Sequence, residues 1–182
     1  MQQTGWDIGY PSTPLKECID QLPDKTISIL IPGCGNSYEA EYLIQSGFRD
    51  ITLIDIAPLL TQELEKKFSS FLNKQLTIIT GNFFELDRQY DLILEQTFFC
   101  ALDPSLRKKY VQKMYSLLKP GGKLAGVLFN KAFEGGPPFG GSRDEYMELF
   151  KESFLPEIME PCYNSIESRA GSELFIKLKK RL

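Results

Sequence analysis

The chain has no histidine among its 182 residues. That removes Ser-His-Asp triads, Cys-His pairs and histidine metal ligands together, along with the commonest general base at neutral pH. Cysteine is scarce: Cys18, Cys34, Cys100 and Cys162 lie far apart, and no CxxC occurs. Neither a zinc site nor a disulfide framework is expected, no metal is expected, and reduced thiols in a cytoplasmic protein are the simplest account. No apolar run approaches the ~20 residues that span a bilayer, and the opening MQQTGWDIGYPS lacks the apolar core of a signal peptide. Clustered Lys and Arg are missing too. The net charge is −3, a poor footprint for nucleic acid, and the basic run from Lys177 to Arg181 reads as a solvated strand end. The expectation is a cytoplasmic monomer with neither a nucleic-acid nor a membrane partner.

What is present is ordinary for one globular domain over residues 1–182: 42% apolar and 25% charged residues. The pattern alternates. Ile27–Ile31, Ile51–Ile54, Leu76–Ile79, Leu92–Leu94 and Leu124–Phe129 read as buried strands. Glu157–Glu160 and Glu173–Leu178 read as later ones. Between them, Tyr38–Gln45, the Leu60/Leu64/Phe68/Phe71 stripe, the Leu106–Leu118 stripe and Arg143–Phe150 read as helices. Lys119-Pro120-Gly121-Gly122 ends the third of these. Strands alternating with helices imply an α/β, doubly wound, mostly parallel sheet. Ligands in such sheets bind at the carboxyl ends of the strands.

The residues that follow the strands carry the chemistry. After the first come Gly33, Cys34 and Gly35, where glycines let the chain turn sharply against a ligand and the next helix points its amides at it. Asp55 ends the second strand, followed by Ile56; a carboxylate there accepts hydrogen bonds from the ribose hydroxyls of an adenosine cofactor. The other reading of Asp55 is a cap for the next helix. Tyr38 stands where a dinucleotide fingerprint needs its third glycine. S-adenosylmethionine carries no phosphate and does not need that close approach, so the departure favours it over NAD. Asn82 and Phe83 after the third strand suit the adenine edge and face, whereas Phe84 reads as core.

After the fourth strand, Gln96 offers a polar contact, and Phe98 and Phe99 an apolar wall for the methyl acceptor. Glu95 either holds the amino group of the cofactor's methionine part or is a strand-end acid. The stretch Glu134-Gly135-Gly136-Pro137-Pro138-Phe139-Gly140-Gly141 reads either as a lid bringing Phe139 over the substrate or as a plain crossover loop; its place after a strand on the ligand side of the sheet favours the lid. Its Pro-Pro-Phe follows the fifth strand, not the fourth, which sets it apart from the [Asn/Asp]-Pro-Pro-aromatic motif of enzymes that methylate amino groups on DNA bases.

The pattern Gly5-Trp6-Asp7-Ile8-Gly9, Pro32-Gly33-Cys34-Gly35, Phe98-Phe99-Cys100-Ala101 and Gly135-Gly136-Pro137-Pro138-Phe139 resembles the thiopurine S-methyltransferase family. The likeness is greatest to its plant halide/thiol branch and bacterial relatives. The resemblance implies a Rossmann-like class I methyltransferase fold, a seven-stranded sheet with an antiparallel last strand. It implies transfer from S-adenosylmethionine, leaving S-adenosylhomocysteine, to a small soft nucleophile such as a thiol, hydrosulfide or halide. By position, Trp6 resembles the family tryptophan that covers the cofactor, with residues 1–25 as a covering segment. Gln96 stands about where thiopurine-methylating members carry an arginine, which argues against thiopurine as acceptor. Arg169 stands where relatives also carry arginine, suited to an anionic substrate or to a solvated turn. Relatives extend further ahead of the tryptophan, so a chain shortened at its N-terminus is among the expectations. Two alternatives stay open: a Rossmann NAD(P)-binding oxidoreductase, and a catalytically silent cofactor-binding module.

Overall fold

A computed structural model describes residues 7–182; Trp6 lies outside the described residues. Seven strands form one sheet in the order β3-β2-β1-β4-β5-β7-β6. They are β1 Ser28–Pro32, β2 Asp50–Asp55, β3 Leu76–Thr80, β4 Tyr90–Gln96, β5 Leu118–Phe129, β6 Phe154–Pro161 and β7 Glu173–Lys180. The pairs from β3 to β5 are parallel. β7 runs antiparallel to both β5 and β6, the expected antiparallel last strand.

Each central strand buries both faces, which explains why it reads as a continuous apolar run. Side chains alternate between the faces. Ile29 and Ile31 of β1 and Leu92 and Leu94 of β4 join one core cluster, while Leu30 and Ile93 join the other. The first cluster is closed by α1 Thr13–Asp20, α2 Tyr38–Gln45 and α3 Pro58–Lys67; the second by α4 Arg107–Ser116 and α5 Arg143–Phe150. No helix among the described residues is long and apolar enough to cross a membrane.

Two elements differ from expectation. Helix α1 lies inside the segment read as a cofactor cover, and its Leu15 and Ile19 are fully buried. The signal was present: Leu15, Cys18, Ile19 and Leu22 are spaced by three and four, with Pro14 in the first helical turn. Strand β5 begins at Leu118, not Leu124, because Leu118 pairs with Tyr90 before an irregularity between Tyr90 and Leu92 absorbs the Pro-Gly-Gly turn.

The sheet centre tolerates no side chain at Gly126 of β5. A Cβ there would run into the backbone carbonyl of Glu95 on β4, and backbone cannot swing aside. Gly126→Ala is expected to lower stability by about 1–3 kcal/mol, read as a lower urea midpoint. A midpoint equal to the parent's would contradict this packing.

Candidate functional site

The carboxyl ends of β1 to β4 open onto a cavity of about 660 Å³, a size suited to a small-molecule ligand. The turn after β1 forms its base. Gly33 has φ +57° and Gly35 φ +49°, backbone that side chains rarely adopt. Gly33 has a second reason to be glycine: a Cβ there would occupy the ring of Phe98 from the turn after β4. The Gly33 amide donates to the Ile54 carbonyl at 2.9 Å, tying this turn to the end of β2. Cys34 lies in the same wall, and α2 starts at Tyr38.

Asp55 and Ile56 lie at the end of β2, both in the cavity wall. Asp55 Oδ1 also accepts from the Ala57 amide at 3.0 Å, so one side chain braces the start of α3 and faces the cavity. After β3, Asn82 and Phe83 line the wall. The Asn82 side chain is engaged locally, accepting from the Phe84 amide at 3.0 Å and donating to Glu85 at 3.1 Å. Phe83 is largely core, edge-on to Phe98 at 5.0 Å. Phe84, read as core, is half-buried and shares the wall.

At the end of β4 and beyond it, Gln96, Phe98 and Cys100 line the cavity, with Pro137 and Pro138. Four sequence expectations need correction here. Glu95 does not face the cavity. It is fully buried: Oε1 accepts from the Phe98 and Phe99 amides at 2.8 and 2.9 Å, and Oε2 from the Tyr110 hydroxyl at 2.5 Å. Phe99 points the other way, into the core against Tyr110 and Tyr146. Phe139 stays out of the wall because its ring covers Gly136; the two prolines before it supply the contact surface. Arg169 is neither a solvated turn residue nor part of the cavity wall. It is buried, 3.5 Å from Glu173, with its guanidinium over the Phe129 ring.

Among the wall residues that escaped the sequence reading is an acid, Glu39. Acids in a first helical turn are favoured by the helix dipole and are usually solvated, yet Glu39, in the first turn of α2, is only 8% exposed and faces the cavity. Its spacing four residues before buried Leu43 was the available clue. The two wall thiols are quiet. Burial pushes Cys34 up to about 11 and Cys100 up to about 12, so neither is a thiolate at neutral pH. No His/Cys/Asp/Glu cluster among the described residues could hold a metal ion.

Comparisons with known proteins bear on the family and the fold. The family model described as thiopurine S-methyltransferase matches residues 1–173. The chain is similar to a protein of Arabidopsis thaliana named probable thiol methyltransferase 2, 35% identical over 150 residues. That match takes in 80% of this chain and 66% of the relative, so the chain spans just under two thirds of that protein. It is also similar to thiocyanate methyltransferase 1 of Brassica oleracea, 28% identical over 97% of this chain and 80% of that protein. The fold is similar to that of Burkholderia thailandensis 1,6-didemethyltoxoflavin-N1-methyltransferase, solved with S-adenosylhomocysteine. There the TM-score is 0.73 at 18% identity, covering 93% of this chain and 78% of that one.

The buried Glu95 has a consequence for stability. Burial pushes its carboxyl up to about 7, against the hydrogen bonds from Tyr110 and the two amides, which favour the anion. Its folded value is therefore raised above the ordinary 4.5. Between these values the native protein keeps a proton that the unfolded chain has released. The Glu95 contribution is fully present below about pH 4.5 and declines as pH rises to about 7, by about 3 kcal/mol. The stability gap between the parent and Glu95→Gln is expected to shift by about that amount across the window, measured by urea unfolding. A gap constant with pH would contradict the assigned proton.

Proposed function

The chain belongs to the thiopurine S-methyltransferase family of S-adenosylmethionine-dependent methyltransferases, and on that premise we propose that it transfers a methyl group to a small soft nucleophile, a thiol, hydrosulfide or halide. The relatives named thiol and thiocyanate methyltransferase support a sulfur acceptor. One observation carries the cofactor assignment. The charged residues in the cavity wall, among those described, are Asp7, Glu39 and Asp55, and the wall contains no Lys or Arg. An acidic cavity suits a cationic sulfonium and repels the pyrophosphate of NAD(P).

The cofactor, when bound, supplies a methyl group already activated for in-line displacement. The chain's part is binding, orientation and exclusion of water. Asp55 accepts the ribose hydroxyls, the Asn82–Phe83 turn borders the adenine, and Gly33, Cys34 and Gly35 let the backbone approach. Ile56 covers the same nucleoside end from the outer side. Phe98, Cys100, Pro137 and Pro138 form the apolar acceptor wall, with the 134–141 loop as its lid and Gln96 as its polar contact. A soft nucleophile needs little help from a base, which fits a chain without histidine. The wall thiols stay protonated and do not compete for the methyl group.

The protein acts as a cytoplasmic monomer without a nucleic-acid partner. Four free cysteines support a reducing compartment, and the negative net charge opposes nucleic acid.

Asp55→Ala is expected to weaken S-adenosylmethionine binding by about tenfold to a hundredfold. It should cost only about 1 kcal/mol of stability, from the lost Ala57 contact. Calorimetric titration beside thermal melting reads both, and unchanged affinity would remove the ribose assignment. The acceptor reading is tested by a panel in which S-adenosylhomocysteine formation is timed. Small thiols, hydrosulfide and iodide are expected to outpace catechols, amines and thiols bearing several carboxylates. A faster catechol or amine would overturn the soft-nucleophile reading, and no turnover with any acceptor would leave a silent binding module.

A further inference from the structure

The wall beneath the β1 turn contains a built polar corner in which Glu39 and Ser12 are left without a role by the reading above. Glu39 Oε1 accepts from the Ser12 amide at 3.1 Å. The Ser12 hydroxyl donates to Gln96 Oε1 at 2.8 Å. Ser12 is 4% exposed. Three separate segments are therefore linked through Ser12: the stretch before α1, the first turn of α2 and the end of β4. Both Glu39 and Gln96 lie in the cavity wall.

We propose that Glu39 receives the α-ammonium group of the cofactor's methionine part, with Ser12 holding the carboxylate in place and Gln96 fixing Ser12. This rests on S-adenosylmethionine being the ligand.

Position supports it. Asp55 ends β2 and Gln96 ends β4, with β1 between them, a separation of about 10 Å from two strand spacings. Adenine toward β3, ribose at Asp55 and the amino acid toward β4 lay the cofactor across the strand ends in one direction. Asp55 then serves its ribose and Glu39 its amino-acid end.

Energetics support it too. A carboxylate sunk into a wall with one amide donor is costly to keep ionised, and burial pushes its carboxyl upward. A ligand cation offsets that cost. Arg169 steadies the Glu39 anion from outside the wall, and it is itself close to Glu173. Its charge opposes that upward push without occupying the cavity.

The test compares two ligands on the full chain by calorimetry: S-adenosylhomocysteine, and 5′-methylthioadenosine, which has the same nucleoside and sulfur but no amino acid. Glu39→Gln keeps an oxygen for the Ser12 amide and removes only the charge. It is expected to weaken S-adenosylhomocysteine by about tenfold to a hundredfold and to leave methylthioadenosine within about twofold. Unchanged S-adenosylhomocysteine affinity, or an equal loss for both ligands, overturns the proposal. A parent protein that binds neither ligand overturns the cofactor reading itself, a separate result. A second measurement needs no variant. On the parent, the S-adenosylhomocysteine analogue lacking only the α-amino group should bind at least about tenfold more weakly, and equal binding overturns the proposal.

Discussion

The buried carboxylate of Glu95 gathers the amides of Phe98 and Phe99 at the end of β4 and ties them to Tyr110 of α4. Fixing those amides fixes the turn, and the turn decides which aromatic ring goes where. Phe99 is sent into the core against Tyr110, Tyr146 and Phe150. Phe98 is sent to the cavity, against Phe83 and over Gly33. The glycine after β1 is thus required twice, by its own backbone conformation and by a ring that arrives from another strand. Gly126 completes the set by letting β5 come close to Glu95 from the other side. The floor of the site is a property of four segments packed together.

On that floor the sheet distributes function by strand order. The ends of β3, β2, β1 and β4 lie side by side, so an extended ligand crossing them meets a different side chain at each step. The charged members of the wall, among the described residues, are all acidic. In a partly enclosed cavity their potential is poorly screened by solvent, so it selects for a cationic ligand and against phosphate. The wall at Phe98, Cys100 and the two prolines is largely apolar, and the wall thiols Cys34 and Cys100 are held neutral by burial. That combination suits a reaction in which positioning and exclusion of water dominate over proton transfer.

The sequence made the strands legible because burial on both faces leaves an unbroken apolar run. It made Asp55, Gly33 and Gly35 legible because they follow strands at the spacing that a nucleoside ligand needs. Direction was harder to read. Glu95, Gln96, Phe98 and Phe99 are near neighbours in the chain, and only the turn geometry sends two to the cavity and two to the core. Phe139 was misjudged for a related reason: the aromatic ring is the conspicuous residue of its loop, yet the rigid prolines before it reach the wall. Glu39 was missed because an acid in a first helical turn is usually solvated. Its burial depends on Ser12, 27 positions away, a distance across which periodicity carries no information. Arg169 shows the converse, a cation that looked suited to a substrate but is buried close to Glu173.

The most direct measurement is a crystal structure of the protein grown with S-adenosylhomocysteine. The account predicts the ligand stretched across the strand ends, with adenine at the Asn82–Phe83 turn, ribose hydroxyls on Asp55 and the sulfur facing Phe98 and the two prolines. A nucleoside bound elsewhere, or one lying across the strands with its ribose away from Asp55, would contradict it.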